Sequence, residues 1–194
     1  FFNPVRVMKL LELVPAEQTD PMVVETIEEF GRDVLGKGVV FGKDTTNFVA
    51  NRIGVYDQMV VLHEREEFGL SFEDVDQILR EPMGRPSSAM FKLLDIIGID
   101  TVVHAAENCH ESLVDDEDRE LYQVPDFLHE MVERGHLGRK AGKGFYTMTD
   151  EGVAALDLDS WEYELRDFTE YESLAAAEGD AAERIHAIVV EGDV

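Results

Sequence analysis

The chain has one cysteine, Cys109, in 194 residues. A single thiol cannot close an internal disulfide, so the fold must rest on its core, and a reducing cytoplasm suits it. Cys109 sits among Ala105, Ala106 and Leu113, which reads as a packing position and not a nucleophile. Basic residues are scarce: 17 Lys and Arg stand against 42 Asp and Glu, for a formal net charge of −25. Nucleic acid and anionic membrane surfaces both need neutralising cations, so neither is expected as a partner. No run of eighteen apolar residues occurs, and no signal-peptide pattern opens the chain. The six histidines include no His-x-x-x-His pair, so no metal site is expected.

What is present is enough for a core. Hydrophobic residues make up 44% of the chain, and the length suits one domain or one and a half. The acid excess has two readings. One is an acidic tail or regulatory segment. The other, which we favour because residues 1–149 are acidic as well as 150–194, is adaptation to high salt, where screening tames self-repulsion.

Residues 5–14 alternate as a strand, with Met8, Leu10, Glu12 and Val14 on one face. Asp20 as N-cap and Pro21 at the first position open a helix. Its apolar stripe is Val24, Ile27, Phe30 and Val34, and Gly36 ends it. Val39-Val40-Phe41 is a second strand, so this unit looks like the tail of a larger parallel sheet. From Thr46 to Phe68 the pattern predicts a long helix, apolar on most faces and so buried by others. Gly69 closes it. Ser71 and Asp74 form a capping box for a helix over 72–80. Pro86-Ser87-Ser88 opens another helix, ended by Gly98, and Asp100 caps the next, about 101–113. Residues 125–134 form a further helix. Extended pieces follow at 152–158 and 161–165, then an acidic, Ala-rich stretch with a helix near 180–190.

Two polar residues stand out. Glu12 on its strand is either a solvated carboxylate or a functional one with a partner. Asn51, on an apolar face of the long helix, is either a hydrogen-bonded core amide or a site residue; Arg52 beside it either pairs or snorkels. Arg139, Lys140 and Lys143 share a Gly-rich loop. Without a preceding strand and a following Ser or Thr it is no P-loop, and solvated cations on a turn are the simpler reading.

Four motifs in register resemble the 3-hydroxyacyl-CoA dehydrogenase family. They are Phe1-Phe2-Asn3-Pro4 with Glu12; Lys43-Asp44-Thr45-Thr46-Asn47-Phe48-Val49-Ala50-Asn51-Arg52; Leu93-Leu94-Asp95 with Gly98-Ile99-Asp100; and Gly138-Arg139-Lys140 through Gly144-Phe145-Tyr146. The resemblance covers residues 1–146. Asn47 departs from it, standing where the family usually has Gly. Gly84-Arg85-Pro86-Ser87-Ser88-Ala89 looks like the long members fused to an enoyl-CoA hydratase.

The resemblance implies a mainly α fold: a helical bundle-like C-terminal dehydrogenase domain over 44–146, preceded by a strand–helix–strand remnant of a Rossmann domain over 1–43. Residues 147–194 are then an acidic connector or the start of a second helical domain. It implies an NAD-dependent oxidation of 3-hydroxyacyl-CoA in fatty-acid β-oxidation, with Glu12 and Asn51 as catalytic residues, acyl-CoA as substrate and a homodimer through the helical domain. The family's general-base His is the residue just before Phe1, so the chain alone is expected to be inactive and to hold no cofactor. The alternative is a non-catalytic helical dimerisation or scaffold module. Related dehydrogenases that use a Lys and an Asn on the long helix fit less well, since no Lys lies within a turn of Asn51.

Overall fold

The computed structural model describes residues 1–80, 83–165, 171–175, 177 and 179–190. The acidic stretches at 166–170 and 191–194 lie outside the described residues.

The chain opens with a parallel strand–helix–strand unit. Strand β1 (Leu10–Leu13) pairs in parallel with β2 (Gly38–Phe41), Glu12 opposite Val40. A parallel pair needs a crossover, and helix α1 (Pro21–Glu29) supplies it, continued by a π-helical turn over Phe30–Val34. Asp20 caps α1 as expected, its carboxylate accepting the Met22 N–H at 2.8 Å. Gly31 is the contact point: a Cβ there would lie 2.7 Å from Leu11 Cδ2. The strand is shorter than its pattern, because Val7 and Met8 donate to the Pro4 carbonyl and close a turn. The α1 stripe is not covered, with Ile27, Phe30 and Val34 exposed.

Helices dominate the rest. Helix α2 (Ala50–Phe68) begins later than the apolar pattern suggests. The reason is the backbone at Asn47 (φ 59°) and Phe48 (φ 47°), which is left-handed and cannot continue a right-handed helix. Gly69, at φ 64°, ends α2. One face of α2 is buried through Val55, Met59 and Leu62. The expectation of burial on most faces fails at Phe48, Ile53 and Tyr56, which are exposed.

Helix α3 (Phe72–Ile78) starts at the Ser71–Asp74 capping box. Helix α4 (Phe91–Ile97) starts at Phe91 and not at Pro86. Its cap comes from another helix. Asp76 of α3 accepts the N–H groups of Met90 (2.9 Å), Phe91 (2.7 Å) and Lys92 (3.2 Å), and the Tyr146 hydroxyl at 3.0 Å. Helix N-termini leave such donors unpaired, and a carboxylate is their strongest acceptor. Gly98 precedes helix α5 (Ile99–Ser112), so Asp100 lies inside the first turn instead of capping it, and pairs with Lys140. Helix α6 (Asp126–Glu133) completes the bundle. Rings of Phe72, Phe91 and Phe145 meet at 4.7–4.8 Å between centroids in its core.

The Gly-rich loop returns the chain to α4. Asp95 accepts the N–H groups of Phe145 (2.8 Å) and Tyr146 (2.9 Å). An antiparallel sheet follows: β3 (Tyr146–Thr149), β4 (Gly152–Leu156) and β5 (Tyr163–Glu164). Leu156 is buried in the helical core, and Trp161 and Tyr163 pack on it. Short helix α7 (Glu172–Ala175) and helix α8 (Ala181–Val189), capped by Asp180, end the described chain.

Burial pushes the Asp95 carboxyl up to about 6, against its two N–H bonds, with Asp76 nearby adding to the rise. In the unfolded chain an Asp titrates near 3.9. The folded chain therefore holds a proton that the unfolded chain has released. This group's contribution to stability is full below about pH 4 and is lost as pH rises through about 6. Urea unfolding at constant ionic strength should show wild type losing about 2–3 kcal/mol relative to Asp95→Asn between pH 4 and 7. A gap independent of pH would contradict this.

Candidate active site

Glu12 lies half-buried near the carboxyl end of β1, the edge where open α/β sheets hold their ligands. Its Oε1 accepts the Ala50 N–H at 2.6 Å. Ala50 is the first residue of α2, so the carboxylate seats one of that helix's unpaired donors and the positive end of its dipole. Among the described residues Oε2 has no hydrogen-bond partner and remains able to accept a second donor.

Asn51 follows directly. It is exposed, not packed into the bundle as its apolar neighbours in the sequence suggested. One backbone bond thus brings the two candidates named from the sequence to the same helix end. Arg52, next in line, turns the other way and pairs with Asp116. That pairing raises the Arg52 guanidinium and holds the Asp116 carboxyl below the usual range. Tyr56 one turn on donates to Asp118 at 3.0 Å.

The remaining candidates are structural. Cys109 is fully buried and burial pushes its thiol up, so it is no nucleophile. Lys140 is paired with Asp100, and Lys143 approaches the Arg134 carbonyl. His63 Nε2 contacts the Leu121 and Gln123 carbonyls, both at 3.1 Å, so it must be the protonated nitrogen. Among the described residues no group of three His, Cys, Asp or Glu could hold a metal ion, and no helix is long and apolar enough to cross a membrane. A cleft of about 880 Å³ lies among His63, Ser71, Phe72, Asp126 and Leu156, and neither Glu12 nor Asn51 lines it.

Sequence reasoning missed Asp76 and Asn47. Asp76 had a signal: it follows Phe72 by four residues, a carboxylate on the apolar face of α3. Asn47 had one too, as the departure from a glycine position.

Residues 48–148 match the family model described as 3-hydroxyacyl-CoA dehydrogenase, C-terminal domain, and residues 1–45 match 3-hydroxyacyl-CoA dehydrogenase, NAD binding domain. The chain belongs to the 3-hydroxyacyl-CoA dehydrogenase family. It is 45% identical over 159 residues to the "Probable 3-hydroxyacyl-CoA dehydrogenase" of Bacillus subtilis, covering 82% of this chain and 20% of that protein. The crystal structure of Mycobacterium tuberculosis FadB2 superposes with a TM-score of 0.68 at 36% identity, covering 77% of this chain and 50% of that one. The (S)-3-hydroxybutyryl-CoA dehydrogenase PaaH1 of Ralstonia eutropha superposes with a TM-score of 0.64 at 32% identity, covering 77% and 51%. The chain therefore spans about half or less of the length of these relatives. The backbone at Asn47 is left-handed (φ 59°), a conformation that glycine adopts freely, and Asn is among the few other residues that adopt it at little strain.

Proposed function

We propose that this chain carries the helical domain and the last strands of the nucleotide-binding domain of an NAD-dependent 3-hydroxyacyl-CoA dehydrogenase acting in cytoplasmic fatty-acid β-oxidation. The observation that carries the reading is the bond from the Ala50 N–H to Glu12 Oε1, with Asn51 exposed beside it. The parallel β1–β2 pair suits a nucleotide-binding sheet, but no Gly-x-Gly-x-x-Gly turn falls in these residues, so none is assigned to the cofactor. NAD, when bound, would supply the acceptor for the hydride that leaves the carbon bearing the 3-hydroxyl.

The chain's own residues position the group that takes the proton. In this reading the general base is a His immediately ahead of Phe1. Glu12, with Oε1 seated on α2, offers Oε2 to the imidazole N–H, fixing its tautomer and stabilising its charged form. Asn51, exposed at the same helix end, offers its amide to the reacting oxygen of the substrate. Assayed without the upstream residues, the 194-residue chain should form no NADH from (S)-3-hydroxybutyryl-CoA. NADH formation by the chain alone would overturn this division of labour.

The Gly84-Arg85-Pro86 form supports a long parent fused to a hydratase. The exposed Ile53 and Phe68 of α2 support a homodimer through the helical domain. The charge of −25 supports a halophilic source. The chain's thermal midpoint should then rise by 10 °C or more, as a rough figure, between 0.1 M and 2 M KCl as like-charge repulsion is screened. An unchanged midpoint would remove that reading.

A further inference from the structure

The backbone at residue 47 is left-handed, and glycine would meet that demand with no side chain. Asn47 meets it and adds an amide. Its Nδ2 donates to Cys109 Sγ at 3.0 Å, across 62 residues of sequence. Cys109 is fully buried in α5, so its sulfur is a fixed point of the core. The Asn47 carbonyl accepts the Arg52 N–H at 3.1 Å, in the first turn of α2. Asn47 thus ties α5 to the opening of α2, and between residues 47 and 52 lie Ala50, whose N–H holds Glu12, and Asn51. The Arg52–Asp116 pair restrains α2 beyond Ala50, so the turn before the helix is the part that Asn47 governs.

We propose that Asn47 is a positioning residue of the active site: its amide bond to Cys109 fixes the turn 45–49 and so the aim of the Ala50 N–H on which the Glu12 carboxylate is seated. The consequence for catalysis rests on the dehydrogenase reading; the anchor itself does not. Asn47 touches neither substrate nor cofactor in this scheme and acts only through Glu12. Cys109 acts as a protonated acceptor, so oxidation chemistry is not involved.

The test compares Asn47→Gly, Cys109→Ala and Cys109→Ser in the complete enzyme. Gly keeps the backbone and removes the anchor; Ala removes the acceptor; Ser offers Oγ in its place. Loss of the anchor should lower kcat roughly tenfold with KM for the acyl-CoA within about twofold, as for a small misplacement of a catalytic group. The acid limb of the kcat/KM profile should move to lower pH, because the imidazole loses part of the Glu12 field. Cys109→Ser should restore most of kcat, and Asn47→Gly/Cys109→Ala should be no slower than either single variant. Amide exchange at Ala50 should quicken about tenfold or more in Asn47→Gly and Cys109→Ala and stay slow in Cys109→Ser. Equal protection of Ala50 in wild type and Asn47→Gly, or additive losses in the double variant, would overturn the anchor. A wild type with no dehydrogenase activity would overturn the functional reading alone, and exchange at Ala50 would still decide the anchor.

Discussion

Glu12→Gln in the complete enzyme should lower kcat by about 10³- to 10⁴-fold, the scale seen when the acid of an acid–imidazole pair becomes an amide. The size follows from what Gln keeps and loses. Its amide oxygen can still accept the Ala50 N–H now held by Oε1, so α2 stays docked and the fold is undisturbed. The negative charge is gone, and the carboxamide can turn its NH₂ to the imidazole and favour the wrong tautomer. KM for the acyl-CoA should change little, because the lost interaction grows only as the imidazole takes up its proton. Glu12→Ala should be as slow and also less stable by about 1 kcal/mol, the usual cost of losing a helix cap. Steady-state kinetics with a thermal melt on each variant separates the two roles. A Glu12→Gln enzyme within a few-fold of wild type would leave Glu12 as a cap and nothing more.

Gly144→Ala should abolish the stable fold of the helical domain. A Cβ at Gly144 would lie 2.0 Å from Asp95 Oδ1 and 2.6 Å from Gly138 Cα. Neither neighbour can retreat. Asp95 is held by the Phe145 and Tyr146 N–H groups. Gly138 is itself pressed on α4, where a Cβ would lie 2.4 Å from the Asp95 carbonyl oxygen. Relief requires peeling the loop off α4, which exposes Phe145 and breaks the Phe72–Phe91–Phe145 cluster. A loss above about 4 kcal/mol is expected. Gly142→Ala is the control: at φ 77° it strains the backbone but meets open space, so it should cost about 1–2 kcal/mol. Urea unfolding of both settles the comparison, and equal stability of the two variants would contradict it.

The local parts of the fold were legible because their causes are local. Asp20-Pro21, the Ser71–Asp74 box and Gly69 each act within one turn, and each marks a helix end where the structure has one. The misplaced helix starts have distant causes. Helix α4 begins at Phe91 because its donors meet Asp76, fourteen residues or more upstream, so Pro86-Ser87-Ser88 pointed to the wrong residue. Helix α2 begins at Ala50 because the turn before it is left-handed, which an apolar pattern does not register. Glu12 was readable as a carboxylate needing a partner, but nothing in a single strand shows that the partner is a backbone N–H 38 residues on. Asn51 shares its helix face in the sequence with Phe48 and Val55; Val55 is buried, but Asn51 and Phe48 are exposed at the start of the helix, which the bundle leaves open.

The most direct test of the account is NAD reduction by the complete enzyme with (S)-3-hydroxybutyryl-CoA in molar KCl, read at the nicotinamide absorbance beside the Asn51→Ala variant. Wild type should form NADH steadily, and Asn51→Ala should lose about 10²-fold or more, as for one hydrogen bond made to the reacting oxygen. A folded, salt-stabilised wild type that forms no NADH would contradict it and leave the helical domain as a scaffold.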